Sequence, residues 1–196
     1  MKAVIPAIAM TIVCSQAALA AGHTTTDWNG AYAGLSALSI SDDEVLFQSG
    51  TEDITLETSG EGIGLFAGYN LQNGQVVYGG EIAFTPLEVS SDEHSLSRRN
   101  FFDLKGKVGY AVGDILTYAT IGYSTATLKE APGNVDVTTD GFSYGVGIDY
   151  MVSGQFFVGA EYLKRNLETD YTSSGFPDYT GEADNFSIAL RVGMTF

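Results

Sequence analysis

Cysteine is nearly missing from this chain: its 196 residues carry one, Cys14, and that one lies near the start. The rest of the chain therefore relies on neither disulfides nor thiol chemistry. Basic residues are scarce as well, with 9 lysines and arginines against 24 acidic residues. Neutralising phosphates needs a basic patch, so nucleic acid is excluded as a partner. No apolar run approaches the roughly 20 residues of a spanning helix, which excludes a helical membrane protein. A membrane barrel stays open, because its lipid-facing and interior residues alternate and average to a hydropathy near zero. The two histidines, His23 and His94, are far apart, and no segment has the regular spacing of a calcium loop. Neither a metal nor a cofactor is expected.

What the chain does have begins with an export signature. Lys2 precedes an apolar run over residues 3–13, then Ala18-Leu19-Ala20 followed by Ala21. A positive start, a short apolar core and an A-x-A site describe a secretory signal peptide over residues 1–20. A lipoprotein reading of Cys14 is poor, because Val13 stands where a small residue is wanted. Residues 21–196 then form one domain, in which 24 acidic residues face 8 basic ones once Lys2 is removed from the 9.

The clearest periodicity closes the chain. Phe186, Ile188, Leu190, Val192, Met194 and Phe196 alternate strictly with Asn185, Ser187, Ala189, Arg191, Gly193 and Thr195. A period of two puts one set on each face of a β-strand. Seven earlier segments read as strands too: residues 28–40, 61–69, 76–85, 99–110, 115–128, 141–152 and 156–167. In the second, Ile63, Leu65, Ala67 and Tyr69 oppose Gly62, Gly64, Phe66 and Gly68. The third sets Val76, Tyr78, Ile82 and Phe84 against Glu81. The fourth sets Phe102, Leu104, Val108 and Tyr110 against Arg99, Asp103, Lys105 and Lys107. The sixth sets Phe142, Tyr144, Val146, Ile148, Tyr150 and Val152 against residues that include Ser143 and Asp149. In the seventh, Phe156, Val158, Ala160 and Tyr162 oppose Gly159, Glu161 and Arg165. The first strand alternates softly, with Ala31, Ala33, Leu35 and Ala37 on one face, and the facing of the fifth is open.

Short turns at residues 70–74, 111–114 and 153–155 alternate with four longer connections, the first an acidic stretch over residues 41–59. Asn73-Gly74 supplies the positive φ angles that tight turns need. Pro86, Pro132 and Pro177 are all expected in the long connections, since proline is kept out of paired strands. An even strand count with alternating short and long connections predicts an all-β fold, an eight-stranded antiparallel transmembrane β-barrel. Strand eight must then pair with strand one to remove both sheet edges.

Specific motifs agree. Asp27-Trp28-Asn29-Gly30-Ala31-Tyr32-Ala33-Gly34 resembles the opening D-W-x-G-x-Y-x-G of small OmpA/OmpX-like outer-membrane barrels, above all the alphaproteobacterial surface antigens. Gly68-Tyr69-Asn70-Leu71-Gln72-Asn73-Gly74, Lys105-Gly106-Lys107-Val108-Gly109-Tyr110-Ala111 and Gly159-Ala160-Glu161-Tyr162 are similar to that family at matching positions. The resemblance implies a place in the cell outer membrane among lipid and lipopolysaccharide. It also implies that the terminal Phe196 is an assembly signal read by the barrel assembly machinery. Two departures stand out: lysines replace frequent arginines in the fourth strand, and the long acidic first connection is not a family motif. The peptidoglycan-binding domain of full OmpA is not expected here.

The interior of so narrow a barrel is filled by its own side chains. The inward sets hold Glu81, Asp103, Asp149 and Glu161 with Lys105, Lys107, Arg165 and Arg191, and Arg99 lies near the outer rim. Buried charges must pair, so an interior ion-pair network is expected. It reads first as a structural plug. The alternative is a small, low-conductance pore in which Glu81 or Glu161 exchanges partners among Lys105, Lys107 and Arg191. The long connections carry acid: Asp42, Asp43, Glu44, Glu52, Asp53 and Glu57 early, and Glu168, Asp170, Asp178, Glu182 and Asp184 late. They suit solvated surface, cation bridging to lipopolysaccharide, or a basic host ligand, with Tyr171, Phe176 and Tyr179 as contact area. Glu93-His94-Ser95 is the sole Ser/His/acid cluster, and neighbours on an extended segment point apart, so no catalytic relay forms there. A monomeric, non-enzymatic surface protein is expected.

Overall fold

A computed structural model describes residues 25–46, 54–89, 97–129, 136–171 and 179–196. These form eight strands: β1 (Gly30–Leu46), β2 (Ile54–Asn73), β3 (Val76–Val89), β4 (Ser97–Val112), β5 (Ile115–Lys129), β6 (Asp136–Ser153), β7 (Phe156–Tyr171) and β8 (Tyr179–Thr195). Each pairs antiparallel with its sequence neighbour, and β8 pairs with β1 to close the barrel. The expected closure is present, with Ser36 opposite Arg191 and Ala37 opposite Leu190.

The wall sorts residues by the period of two. Outward positions carry Ile63, Leu65, Tyr78, Ile82, Leu104, Val108, Ile121, Tyr144, Val146, Ile148, Ile188, Leu190 and Val192, all exposed. Such a continuous apolar band would be untenable in water and is what a bilayer solvates. The open facing of the fifth strand resolves here. Leu116, Tyr118, Thr120, Ser124 and Ala126 are buried inward, while Ile115, Ile121 and Tyr123 face out. On β1 the even positions Tyr32, Leu38 and Ile40 point in, leaving Ala31, Leu35 and Ala37 outside.

Two expectations need correction. The strands run past their apolar stretches, so Asp42, Asp43 and Glu44 lie in β1, Glu57 in β2, Glu168 and Asp170 in β7, and Glu182 and Asp184 in β8. Apolar alternation marks only the part of a strand that meets lipid, and the backbone ladder continues beyond it. Pro86 also lies within β3, opposite Asn100 of β4, and not in a connection. On its other side the β2–β3 ladder is interrupted between Leu65–Phe84 and Gly62–Leu87. Proline has no N–H to give, and it sits where no ladder bond is required. The proposed signal peptide, His23, Glu52, Asp53, Glu93-His94-Ser95, Pro132, Phe176, Pro177 and Asp178 lie outside the described residues.

Candidate functional site in the barrel interior

The inward side chains stack in layers. At the short-turn end, Trp28, Tyr32, Phe66, Val77, Ala111, Leu116, Tyr118, Met151 and Phe157 form one apolar cluster. Towards the long connections, Leu38, Ile40, Phe101, Ala126, Leu167 and Ala189 form a second. Charged residues of β3, β4, β7 and β8 occupy the space between.

Their placement follows from register. Glu81 lies directly opposite Lys105 across β3 and β4. Arg191 has Ser36 on one side and Gly159 on the other, small neighbours that leave room for its long side chain. Gly147 serves Tyr118 in the same way, because a methyl group there would overlap the phenol ring.

Four of the charged side chains meet in a closed ring. Lys105 Nζ lies 2.8 Å from Glu81 Oε1 and 2.5 Å from Glu161 Oε1. Arg191 completes the circuit, with Nη2 2.6 Å from Glu81 Oε2 and Nη1 2.7 Å from Glu161 Oε2. Two cations and two carboxylates thus alternate, each acid shared between both bases. Tyr32 donates its hydroxyl to Glu81 (2.9 Å), and Tyr118 donates to Glu161 (3.3 Å) while accepting from Arg191 (2.8 Å). The Arg191 guanidinium also lies 4.0 Å from the centre of the Phe66 ring, a stacking contact that lysine would not reproduce.

Asp103 and Arg165 form a separate, bidentate pair of 2.8 and 2.7 Å. Arg165 Nη1 reaches on to Ser187 Oγ at 3.0 Å and Asn185 Oδ1 at 3.4 Å. Between the pair and the ring is a cavity of about 20 Å³, lined by Ser36, Thr85 and Ser187 among others. That is room for about one water molecule.

Lys107 and Asp149 take no place in either group. The Lys107 ammonium rests on the faces of Tyr32 (4.3 Å) and Tyr118 (4.8 Å). Asp149 is buried with an Oδ1 that has no hydrogen-bond partner. The side chain of Arg99 is not described. Among the described residues, no three His, Cys, Asp or Glu side chains are grouped so as to hold a metal ion.

Sequence reasoning missed the two tyrosines, the Ser187 and Asn185 contacts, and the aromatic layer beneath the ring. Tyr118 lies on the strand whose facing was open, and Tyr32 is on the softly alternating first strand. Transferring the facing of the clear second strand through its pairing with the first would have turned Tyr32 inward.

Residues 7–196 match the family described as outer membrane protein beta-barrel domain. A 22 kDa outer membrane protein of Rhizobium leguminosarum bv. viciae is 30% identical over 147 residues, covering 71% of this chain and 68% of that one. The 25 kDa outer-membrane immunogenic protein of Brucella abortus biovar 1 is 27% identical over 144 residues, covering 68% of this chain and 64% of its own length. The matched region thus spans about two thirds of each relative. Among solved structures, Neisserial surface protein A superposes with a TM-score of 0.60 at 12% identity, over 86% of this chain and 98% of that one. OprG from Pseudomonas aeruginosa gives 0.53 at 13% identity, over 86% and 96%. Ail, the attachment invasion locus protein of Yersinia pestis, gives 0.51 at 14% identity, over 86% and 99%. At those identities the likeness is one of fold.

Proposed function

Because this chain belongs to the outer membrane protein β-barrel family, we propose that it is a structural barrel that presents acidic hairpins at the cell surface. It resides in the outer membrane. The observation that carries the proposal is the filled interior. Among the described residues, the two apolar layers and the ion ring between them leave a cavity of about 20 Å³ beside the Asp103–Arg165 pair, which supports reading the barrel as a wall and not as a conduit.

The outward ends supply the presenting surface. Asp43 is opposite Glu57 on one side and Asp184 on the other, and Glu168 is opposite Glu182. Like charges facing each other across strands destabilise a sheet by themselves. The rim is therefore suited to divalent cations shared with lipopolysaccharide, or to a basic surface ligand. One structure of Ail holds the heparin analogue sucrose octasulfate; a polyanion of that kind is repelled by an acidic rim. The barrel acts as a non-enzymatic monomer inserted by the barrel assembly machinery.

Liposome swelling and ligand binding together test this reading. Vesicles carrying the protein should swell in small sugars no faster than protein-free vesicles. Cells displaying it should bind a lysine-rich peptide, and Asp43→Asn, Glu57→Gln and Asp184→Asn together should abolish that binding. Rapid swelling, or peptide binding indifferent to those changes, overturns the proposal.

One observation favours the pore as a second reading. Lys107 sits on ring faces beside the closed circuit, a spare cation to which Glu81 or Glu161 could transfer. Single-channel currents in planar bilayers should then change in Glu81→Gln. Currents the same as wild type would remove the support for a gate.

A further inference from the structure

At the short-turn end, residues 25–29 leave the barrel wall and cross its mouth. Thr26 donates its backbone N–H to the Gly113 carbonyl (3.1 Å) and bonds the Asp114 side chain through its hydroxyl. Those partners belong to the β4–β5 turn, on the far side of the ring from β1. Midway, the Gln72 side chain clamps the segment like a short strand. Its Oε1 accepts the Trp28 N–H (2.6 Å) and its Nε2 donates to the Thr26 carbonyl (3.3 Å). Asn29 Oδ1 in turn accepts the Gln72 backbone N–H at 3.4 Å. These bonds hold Trp28 in the opening, where it is 1% exposed and edge-on to Phe157 at 5.9 Å between ring centres.

From this geometry we infer that residues 25–29 form a latch that seats only on a closed barrel and that stoppers the periplasmic mouth with Trp28. The latch is anchored on β1 at one end and on the β4–β5 turn at the other. Four residue steps separate Thr26 from Gly30, a reach of at most about 14 Å. A splayed, partly assembled sheet is too wide to be bridged by that length. Gly30 makes the bend from wall to latch, with φ of 121°, and a Cβ there would lie 2.7 Å from the Phe196 carbonyl oxygen. The latch thus joins the closing seam and the opposite turn in one contact set. Its release would expose the apolar layer to the periplasmic side, while the ion ring and the outer layer still block the barrel.

The chain has a single tryptophan, so Trp28 reports on its own seating. Removing Trp28 could prevent folding, so the variants are placed on the rim. With the protein refolded in lipid vesicles, Gln72→Ala combined with Asp114→Ala should keep the folded, heat-modifiable gel band. Its emission should shift to the red and acrylamide quenching should rise severalfold. Asp114→Asn alone, which keeps the acceptor for Thr26, should resemble wild type. During refolding of the wild type, tryptophan protection should appear with the folded band or after it. Emission and quenching unchanged in the double variant would overturn the latch, and so would a change seen only where the folded band is lost. Protection preceding the folded band would overturn its dependence on closure.

Discussion

Glu81 shows how much one interior atom set is asked to do. Its carboxylate is shared by Lys105 and Arg191 and accepts the Tyr32 hydroxyl, so a single substitution leaves three groups short of a partner. Removing one member of a buried ion pair costs roughly 3–5 kcal/mol, because the remaining charge is stranded. Glu81→Gln should lower the stability read by urea unfolding in lipid vesicles by about that amount. Replacing Glu81 and Lys105 together by Gln and Met should cost less than the two single changes summed, since both ends of one contact go at once. The inward facing of Glu81, Lys105, Glu161 and Arg191 is readable from alternation, because each stands on a strand with a strong apolar set opposite. How they divide into a ring and a separate Asp103–Arg165 pair is not readable. That division depends on stagger between strands that are distant in the chain.

The strands repeat the lesson on a larger scale. β8 shows Ile188, Leu190 and Val192 to the bilayer and buries Ala189 and Arg191, as its alternation predicts. Leu190→Arg, near the middle of the apolar band, should therefore cost about 2–4 kcal/mol in the same unfolding measurement. The same change at a rim position should be nearly neutral. β1 is the contrasting element. Its outward side chains are mostly alanine, so its period was faint, yet its inward Tyr32, Leu38 and Ile40 help build both apolar layers. The outer ends of β1, β2, β7 and β8 were unreadable for a different reason. Once a strand leaves lipid, water accepts either face, and nothing in the residue pattern records that pairing persists. At the inner end of β1, Gly30→Ala meets both a positive φ and the Phe196 carbonyl. It should reduce the folded fraction on a gel more than Gly74→Ala, whose added methyl group meets open space.

For the molecule as a whole, closure is the property that matters. All eight ladders are occupied, including β1 with β8, so the wall offers no free edge over its paired length. Folded protein should migrate differently from boiled protein on a gel, a shift that only a closed, heat-resistant barrel gives. If Phe196 is the assembly signal, deleting it should slow insertion by the assembly machinery more than it lowers final stability. A deletion variant that inserts at the wild-type rate would refute that role. The strand count and the alternation of short and long connections are legible because they follow from residue order along the chain, the period of two and the turn residues that interrupt it. The interior layering was not, since it is a consequence of curling the sheet.

Closure also places the two ends of the wall side by side: the Phe196 N–H bonds the Ala31 carbonyl at 2.9 Å, on the rim formed by the short turns. The polypeptide is thus close to a circle cut at one point, and the cut is open to relocation. A permuted chain that joins this seam by a short linker and begins within residues 47–53 or 172–178 should still form the same ring. A grafted passenger tests the surface-presentation reading. Spliced into either of those segments it should be cut by protease added to whole cells, and appended after Phe196 it should be protected.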